Sequence, residues 1–200
     1  MSRPGVPAPV PTLTIASSDR HLEGILALQR RYLARTSPPE QQAQEGFVFV
    51  EHTLPLLRRM AAASPQAIAL ADDRVVGYCL SLHPSLRDEV PSLGPMFEQF
   101  GRCAYRQRPL REYRFIVGGQ TCVDRGQRGR GLMARLYDQV RVSLPFPCEL
   151  CVTEVAIRNQ VSLRAHERMG FEPVSTYSDG REDWVVVAWD LSRPAVVTTG

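Results

Sequence analysis

"TCVDRGQRGRGLMARLYDQV", residues 121–140, changes character twice. Thr121, Cys122 and Val123 are strand-like, and "RGQRGRG" (125–131) then interleaves three glycines with three arginines and a glutamine. Leu132, Leu136 and Val140 follow four apart, the spacing of one helix face. A strand that runs through glycines into a helix start makes an anion site. The first N–H groups of a helix have no intrahelical partner, and the helix dipole adds roughly half a positive charge there. Glycines let oxyanions reach the backbone, and Arg125, Arg128 and Arg130 add charge. The expected ligand is a phosphate or pyrophosphate. The competing reading is three arginines that only solvate a helix start, a place arginine does not favour. Two better-known phosphate loops do not fit. No Lys-Ser/Thr pair follows the glycines, as a P-loop requires. Glycines at 126, 129 and 131 lack the Gly-x-Gly-x-x-Gly order and come too late for an N-terminal dinucleotide unit.

Working outward, the strand reaches back to Tyr113 and carries Gly118-Gly119, which marks a bulge or a close backbone approach. Residues 66–82 read as a hairpin around Asp72-Asp73. Before it lie a first strand at 12–16, a helix with Ser17, Ser18 or Asp19 as its cap, a loop at 36–46 and a helix at about 52–63. Pro55 belongs in the first turn of that second helix. Four prolines punctuate 84–111, where a short helix is expected near 95–103. Downstream come a strand at 148–156, a helix at 159–169 and the strands "GFEPVSTYS" and "DWVVVAWDL". This order predicts an α/β (α+β) mixed sheet with helices on its faces. Residues 1–11 read as a disordered Pro-rich tail, 12–192 as one domain and 193–200 as a C-terminal tail.

With 200 residues and 44% hydrophobic content, the chain suits one well-buried domain. A net charge of +3 does not by itself argue for a nucleic-acid partner. No apolar run approaches the ~20 residues of a membrane span. "MSRPGVPAPVP" has no continuous apolar stretch and is not expected to be a signal peptide. The cysteines number five, and Cys79, Cys122 and Cys151 sit in apolar strand-like runs, which points to a reducing, cytoplasmic setting. "CELC" (148–151) has no second Cys/His pair at ligand spacing, so no metal is expected.

The turn "RGRGLM" resembles that of the GNAT-type N-acetyltransferases, where Arg/Gln-x-x-Gly-x-Gly/Ala follows a bulged strand. Arg128, Gly129, Arg130, Gly131, Leu132 and Met133 occupy its positions, and Met133 departs from the family's small last residue. "NQVSLRAHERMGF" (159–171) matches the family's next block through Asn159, Ser162, His166, Gly170 and Phe171, and "VVGYCLSL" resembles its third strand. The resemblance spans about 12–191. It implies a GNAT fold, a mixed six- or seven-stranded sheet splayed at the centre and flanked by helices. It further implies that acetyl-CoA is the cosubstrate. Its pantetheine arm would pair with the backbone of Cys122 and Val123, and its pyrophosphate would sit on the N–H groups at 128–133. Asn159 would bond the pantetheine or the backbone around it, or else cap a helix.

The implied reaction is direct acetyl transfer to a primary amine. A free alkylamine has a pKa near ~10, so a base is needed to neutralise it. Glu154 and Glu112 are the candidates, and each also reads as an ordinary surface carboxylate. A backbone N–H near the bulge would stabilise the oxyanion. His166 stands where many relatives carry a Tyr that protonates the leaving thiolate; it either does the same or is structural, bonding a backbone carbonyl. The acceptor is expected to be a small-molecule or peptide amine, in a pocket shaped by 36–50 and 84–111. Glu45, Glu51 and Asp88 either attract a cation such as a polyamine or are ordinary exposed acids. A homodimer would follow if "DWVVVAWDL" were an edge strand. Two rival readings stand beside the enzyme: an inactive coenzyme-binding sensor or scaffold, suggested by Met133 and the missing Tyr, and a nucleic-acid module using Arg125, Arg128, Arg130, Arg135 and Arg141. Against the latter, Asp124 and Asp138 interrupt the charge and no aromatic series accompanies it. No nucleic-acid or membrane partner is therefore expected.

Overall fold

The computed structural model describes residues 10–197. Most of the expected N-terminal tail and the last three residues of the C-terminal one lie outside the described residues. The chain opens with β1 (Thr12–Ile15) and α1 (Asp19–Arg30). Ser18 caps α1 by accepting the His21 N–H, and Leu22, Ile25 and Leu26 are buried along its inner face.

The expected loop at 36–46 is instead mostly helical: Pro39–Glu45 form α2. Pro39 lies in its first turn, where a missing N–H is harmless, and Gly46 ends it at φ +71°. Gln42 is its buried side chain, so the apolar period that marks a helix in sequence has nothing to register. Helix α3 (Leu54–Ala63) starts at the cap Thr53, with Pro55 in its first turn.

Strands β2 (Ala67–Ala71) and β3 (Arg74–Leu82) form the expected hairpin, with Asp72 and Asp73 at φ +49° and +60° in its tight turn. Helix α4 (Gly94–Arg102) and a small ladder of β4 (Ala104–Tyr105) with β5 (Arg108–Pro109) organise the proline-rich segment. Then come β6 (Phe115–Val123), α5 (Leu132–Ser143), β7 (Leu150–Ala156), α6 (Gln160–Met169), β8 (Glu172–Ser178) and β9 (Asp183–Asp190). Strand β6 starts two residues later than expected, at Phe115, and the candidate base Glu112 belongs to the 3-10 turn Leu110–Glu112 before it.

Among the described residues, seven strands form one sheet in the order β1-β2-β3-β6-β7-β9-β8. Neighbours run antiparallel except β6 and β7, which run parallel. Strand β9 is therefore interior, and the dimer expectation loses the free edge it rested on. The β3–β6 register passes from Cys79↔Thr121 to Ser81↔Gly118, which leaves Gly119 and Gln120 opposite Leu80. This is the bulge expected at the paired glycines. A Cβ on Gly119 would stand 3.1 Å from the Leu80 carbonyl oxygen, so close backbone approach is what selects glycine there.

Helices α1, α3 and α4 bury Ile25, Leu57 and Met96 with Leu80, Val152 and Val186 on one face of the sheet. Helices α5 and α6 bury Leu136, Tyr137 and Met169 with Ile116, Cys151 and Trp189 on the other. Beyond β9, Ala195 is buried and the Val196 N–H bonds the Met169 carbonyl. No helix among the described residues is long and apolar enough to cross a membrane.

Candidate active site

Strands β6 and β7 pair from Phe115↔Leu150 to Val117↔Val152 and then separate. Their outer partners stay with them, β3 as far as Gly77↔Val123 and β9 as far as Ala156↔Trp184. The bulge bends β6 away from β7, so the β7-facing edge of residues 118–123 runs along a cleft instead of a ladder.

The quoted turn closes one end of this cleft. Arg125–Gln127 make a 3-10 turn, and Gly129 and Gly131 take φ +73° and +66°. Those conformations favour glycine. Gly131 is the N-cap of α5 and no side chain caps the helix, so its first N–H groups are open to a ligand. A Cβ on Gly129 would meet nothing within 4 Å. A cavity of about 350 Å³ runs from this turn past Cys122, Val123, Leu132 and Met133 to Asn159, Arg164 and Arg168. Met133 lines the cavity without closing it.

Two arginines of the turn, Arg125 and Arg128, are engaged within the protein. Arg128 turns inward: its Nε donates to the Val123 carbonyl (2.9 Å), its Nη1 to the Glu45 carbonyl (2.8 Å), and its guanidinium lies 4.9 Å from the centre of the Tyr32 ring. Its backbone N–H is turned to the Arg125 carbonyl at 3.3 Å. Arg125 ion-pairs with Glu45 at 3.2 Å. Arg128 is thus a strut between the turn and the end of α2, and Glu45 offsets part of the local positive charge. Arg130 is exposed on the same turn.

A second cavity, of about 640 Å³, continues from the first through Phe47, Val48, Thr121, Met133, Asn159 and Ser162. Glu154 of β7 lines it, and its Oε2 accepts the Tyr177 hydroxyl at 2.5 Å. Burial pushes the Glu154 carboxyl up to about 7, against the lowering effect of that hydrogen bond. Glu112 is exposed and lines neither cavity.

His166 is buried, with both nitrogens engaged. Nδ1 lies 2.8 Å from the Ser162 carbonyl and Nε2 lies 3.0 Å from the Tyr137 hydroxyl. A carbonyl only accepts, so Nδ1 carries the proton and Nε2 accepts from Tyr137. Burial lowers the imidazole pKa to about 4, which leaves it neutral near pH 7. Of its two sequence roles, the bond to a backbone carbonyl is present. Asn159 caps α6 by accepting the Ser162 N–H (3.3 Å) and donates to the Phe47 carbonyl (3.2 Å), so its amide works within the protein while it lines both cavities.

Several lining residues had no motif to announce them. Tyr137 looks like filler on the inner face of α5. Gln120, the bulge residue, donates to the Val50 carbonyl (2.7 Å) and accepts from Gln29 Nε2 (2.6 Å) and Tyr78 Oη (2.5 Å). Gln29 in turn holds His52, whose backbone N–H it accepts at 2.9 Å. The spacing of Gly-Gly before Gln120 is the one sequence signal that points there. The acids weighed as a polyamine site are dispersed. Glu51 pairs with Arg35 at 2.5 Å, and Asp88 lies 93% exposed beside Arg87. Among the described residues, no group of three or more His, Cys, Asp or Glu side chains could hold a metal ion.

The sequence matches no family model and no curated protein. Solved structures do match the fold. A chain of the NatC complex bound to Gag peptide and CoA superposes with a TM-score of 0.59 at 14% identity, covering 90% of this chain and 98% of that one. An N-acetyltransferase from Staphylococcus aureus Mu50 gives 0.58 at 16% identity, covering 90% and 98%. The ribosomal-protein-S18-alanine N-acetyltransferase from Escherichia coli gives 0.57 at 13% identity, covering 92% and 95%. With its mixed seven-stranded sheet and flanking helices, this chain has the GNAT fold, shared with these solved N-acetyltransferases.

Proposed function

We propose that the protein transfers an acetyl group from acetyl-CoA to a primary amine. The observation that carries this reading is one continuous cleft with an uncapped, glycine-framed helix start at one end and a half-buried carboxyl at the other. When bound, acetyl-CoA supplies the thioester carbon that an amine attacks and the thiolate that leaves. The edge of β6 at Cys122 and Val123 suits an extended arm, held as an added strand would be. The N–H groups from Gly129 to Met133 suit its pyrophosphate.

Glu154 takes a proton from the incoming ammonium, a task for which a pKa near neutrality is well matched. The amine nitrogen then bonds the acyl carbon as the C–S bond breaks. Its second proton ends on the sulfur, and the proton on Glu154 returns to solvent. His166 is assigned a positioning role: its Nε2 fixes the Tyr137 hydroxyl beside the cleft.

The test is calorimetric titration with acetyl-CoA of the wild type, Gly129→Asn and Gly129→Asp. Asn and Asp both tolerate a left-handed backbone, and they differ in charge. Micromolar binding is expected for the wild type and the Asn variant, and binding at least about tenfold weaker for Asp. Thiol release with an amine panel follows. Binding without turnover of any amine would mark a coenzyme-binding domain that is not an enzyme. An absence of binding would end the transferase reading.

A further inference from the structure

We infer that the acceptor is a small primary monoamine carrying one compact apolar or aromatic body, an assignment that rests on the acetyl-transfer reading. Four carboxylates among the described residues line the larger cavity: Glu51, Glu154, Asp179 and Glu182. Arg35 neutralises Glu51 at 2.5 Å, and Arg158 neutralises Glu182 at 2.6 Å. Asp179 accepts the N–H groups of Arg181 and Glu182, both at 2.8 Å, and against burial these bonds and the Arg181 cation hold its carboxyl below the usual range. Glu154 differs, because its partner at 2.5 Å is the uncharged phenol of Tyr177. Glu154 is thus the one of the four carboxylates with no cation beside it, a place for one ammonium. A polyamine would press its further ammonium groups against apolar wall or against Arg158 and Arg181, and an unpaired charge removed from water is costly.

The walls supply the rest of the argument. Phe49 and Trp184 meet edge to face, with centroids 5.1 Å apart. Phe49 remains 42% exposed, an aromatic ring held at the cavity and not in the core. Val90, Leu93 and Met96, from the segment between β3 and β6, add aliphatic wall and an adaptable thioether. About 640 Å³ accommodates a small molecule whole. The same geometry accounts for release: the product amide is uncharged and no longer pairs with Glu154.

The experiment compares phenethylamine, ethanolamine, spermidine and a tetrapeptide with an apolar N-terminal residue in the thiol-release assay. Acetyl-CoA affinity is measured separately by calorimetry. The kcat/KM for phenethylamine is expected to exceed each of the others by at least about tenfold. Phe49→Ala, a change at an exposed side chain, is expected to remove most of the advantage over ethanolamine and leave acetyl-CoA affinity unchanged. Phenethylamine added with CoA should also quench tryptophan fluorescence through Trp184. If acetyl-CoA binds but spermidine or the peptide is preferred, if Phe49→Ala keeps the selectivity, or if phenethylamine produces no quench, the assignment is overturned while the coenzyme site stands. If acetyl-CoA does not bind, the transferase reading falls first and takes this assignment with it.

Discussion

Glu154 shows how one position acquires chemistry from its surroundings. In the sequence it is a carboxylate in an apolar strand; in the fold it lines a cleft, beside a phenol 23 positions further on. Burial raises its pKa to about 7, so the base form accumulates as pH rises through that value. The kcat for amine acetylation should therefore rise about tenfold per pH unit below 7 and level off above it. Glu154→Gln should abolish that limb and lower kcat by about 10²–10⁴; an unaltered profile would rule Glu154 out as the base. His166 marks the limit of reading by position. Its spacing from Asn159 was visible, but its protonation state depends on burial and on Tyr137, which comes from another helix.

At the level of elements, those with a strong period or a defining turn were legible: the Asp72-Asp73 hairpin, the glycine bulge, and α5 behind its turn. Helix α2 was not, because it buries one glutamine and no apolar stripe. Its anchorage comes from distant side chains. Arg128 holds its last carbonyl, and Arg158 donates to Gln42 at 2.7 Å. The segment after it is tied by Asn159 at Phe47 and by Gln120 at Val50. The glycine turn and the wall of the larger cavity are therefore parts of one assembly. Arg128→Met should cost about 2 kcal/mol, the scale of charge-assisted hydrogen bonds lost inside a protein. It should also speed amide exchange across residues 39–48 more than elsewhere. Uniformly faster exchange, or none, would show that Arg128 does not anchor this segment.

For the whole molecule, the mixed sheet followed from the order of elements and its central splay from the family resemblance, whereas the interior place of β9 followed from neither. The continuous apolar run from Trp184 to Trp189 does not name its neighbours, and pairing with both β7 and β8 is what puts it inside. Acid stability is a property of the same scale. Burial lowers His52 and His166 from 6.5 to about 4, so the stability they permit is present above pH 6.5 and is lost as pH falls toward 4. From pH 8 to pH 5 the pair removes roughly 4 kcal/mol. Glu154, raised from 4.5 to about 7, acts in the opposite sense and restores roughly 2 kcal/mol as it protonates. Urea denaturation should show Glu154→Gln losing roughly 2 kcal/mol more than the wild type over that range; equal losses would contradict the raised carboxyl. The short parallel ladder between β6 and β7 also has a mechanical meaning. Phe115–Val117 against Leu150–Val152 is a fulcrum between two leaves of sheet. Thr121 lies four residues beyond it, about 13 Å along the strand at ~3.3 Å per residue. A tilt of about 4° at Val117 or Val152 would swing Thr121 by about 1 Å, a misplacement that can cost about a hundredfold in rate. The leverage of this joint makes methyl-scale changes in the core, far from the cleft, a means of tuning the proposed transfer.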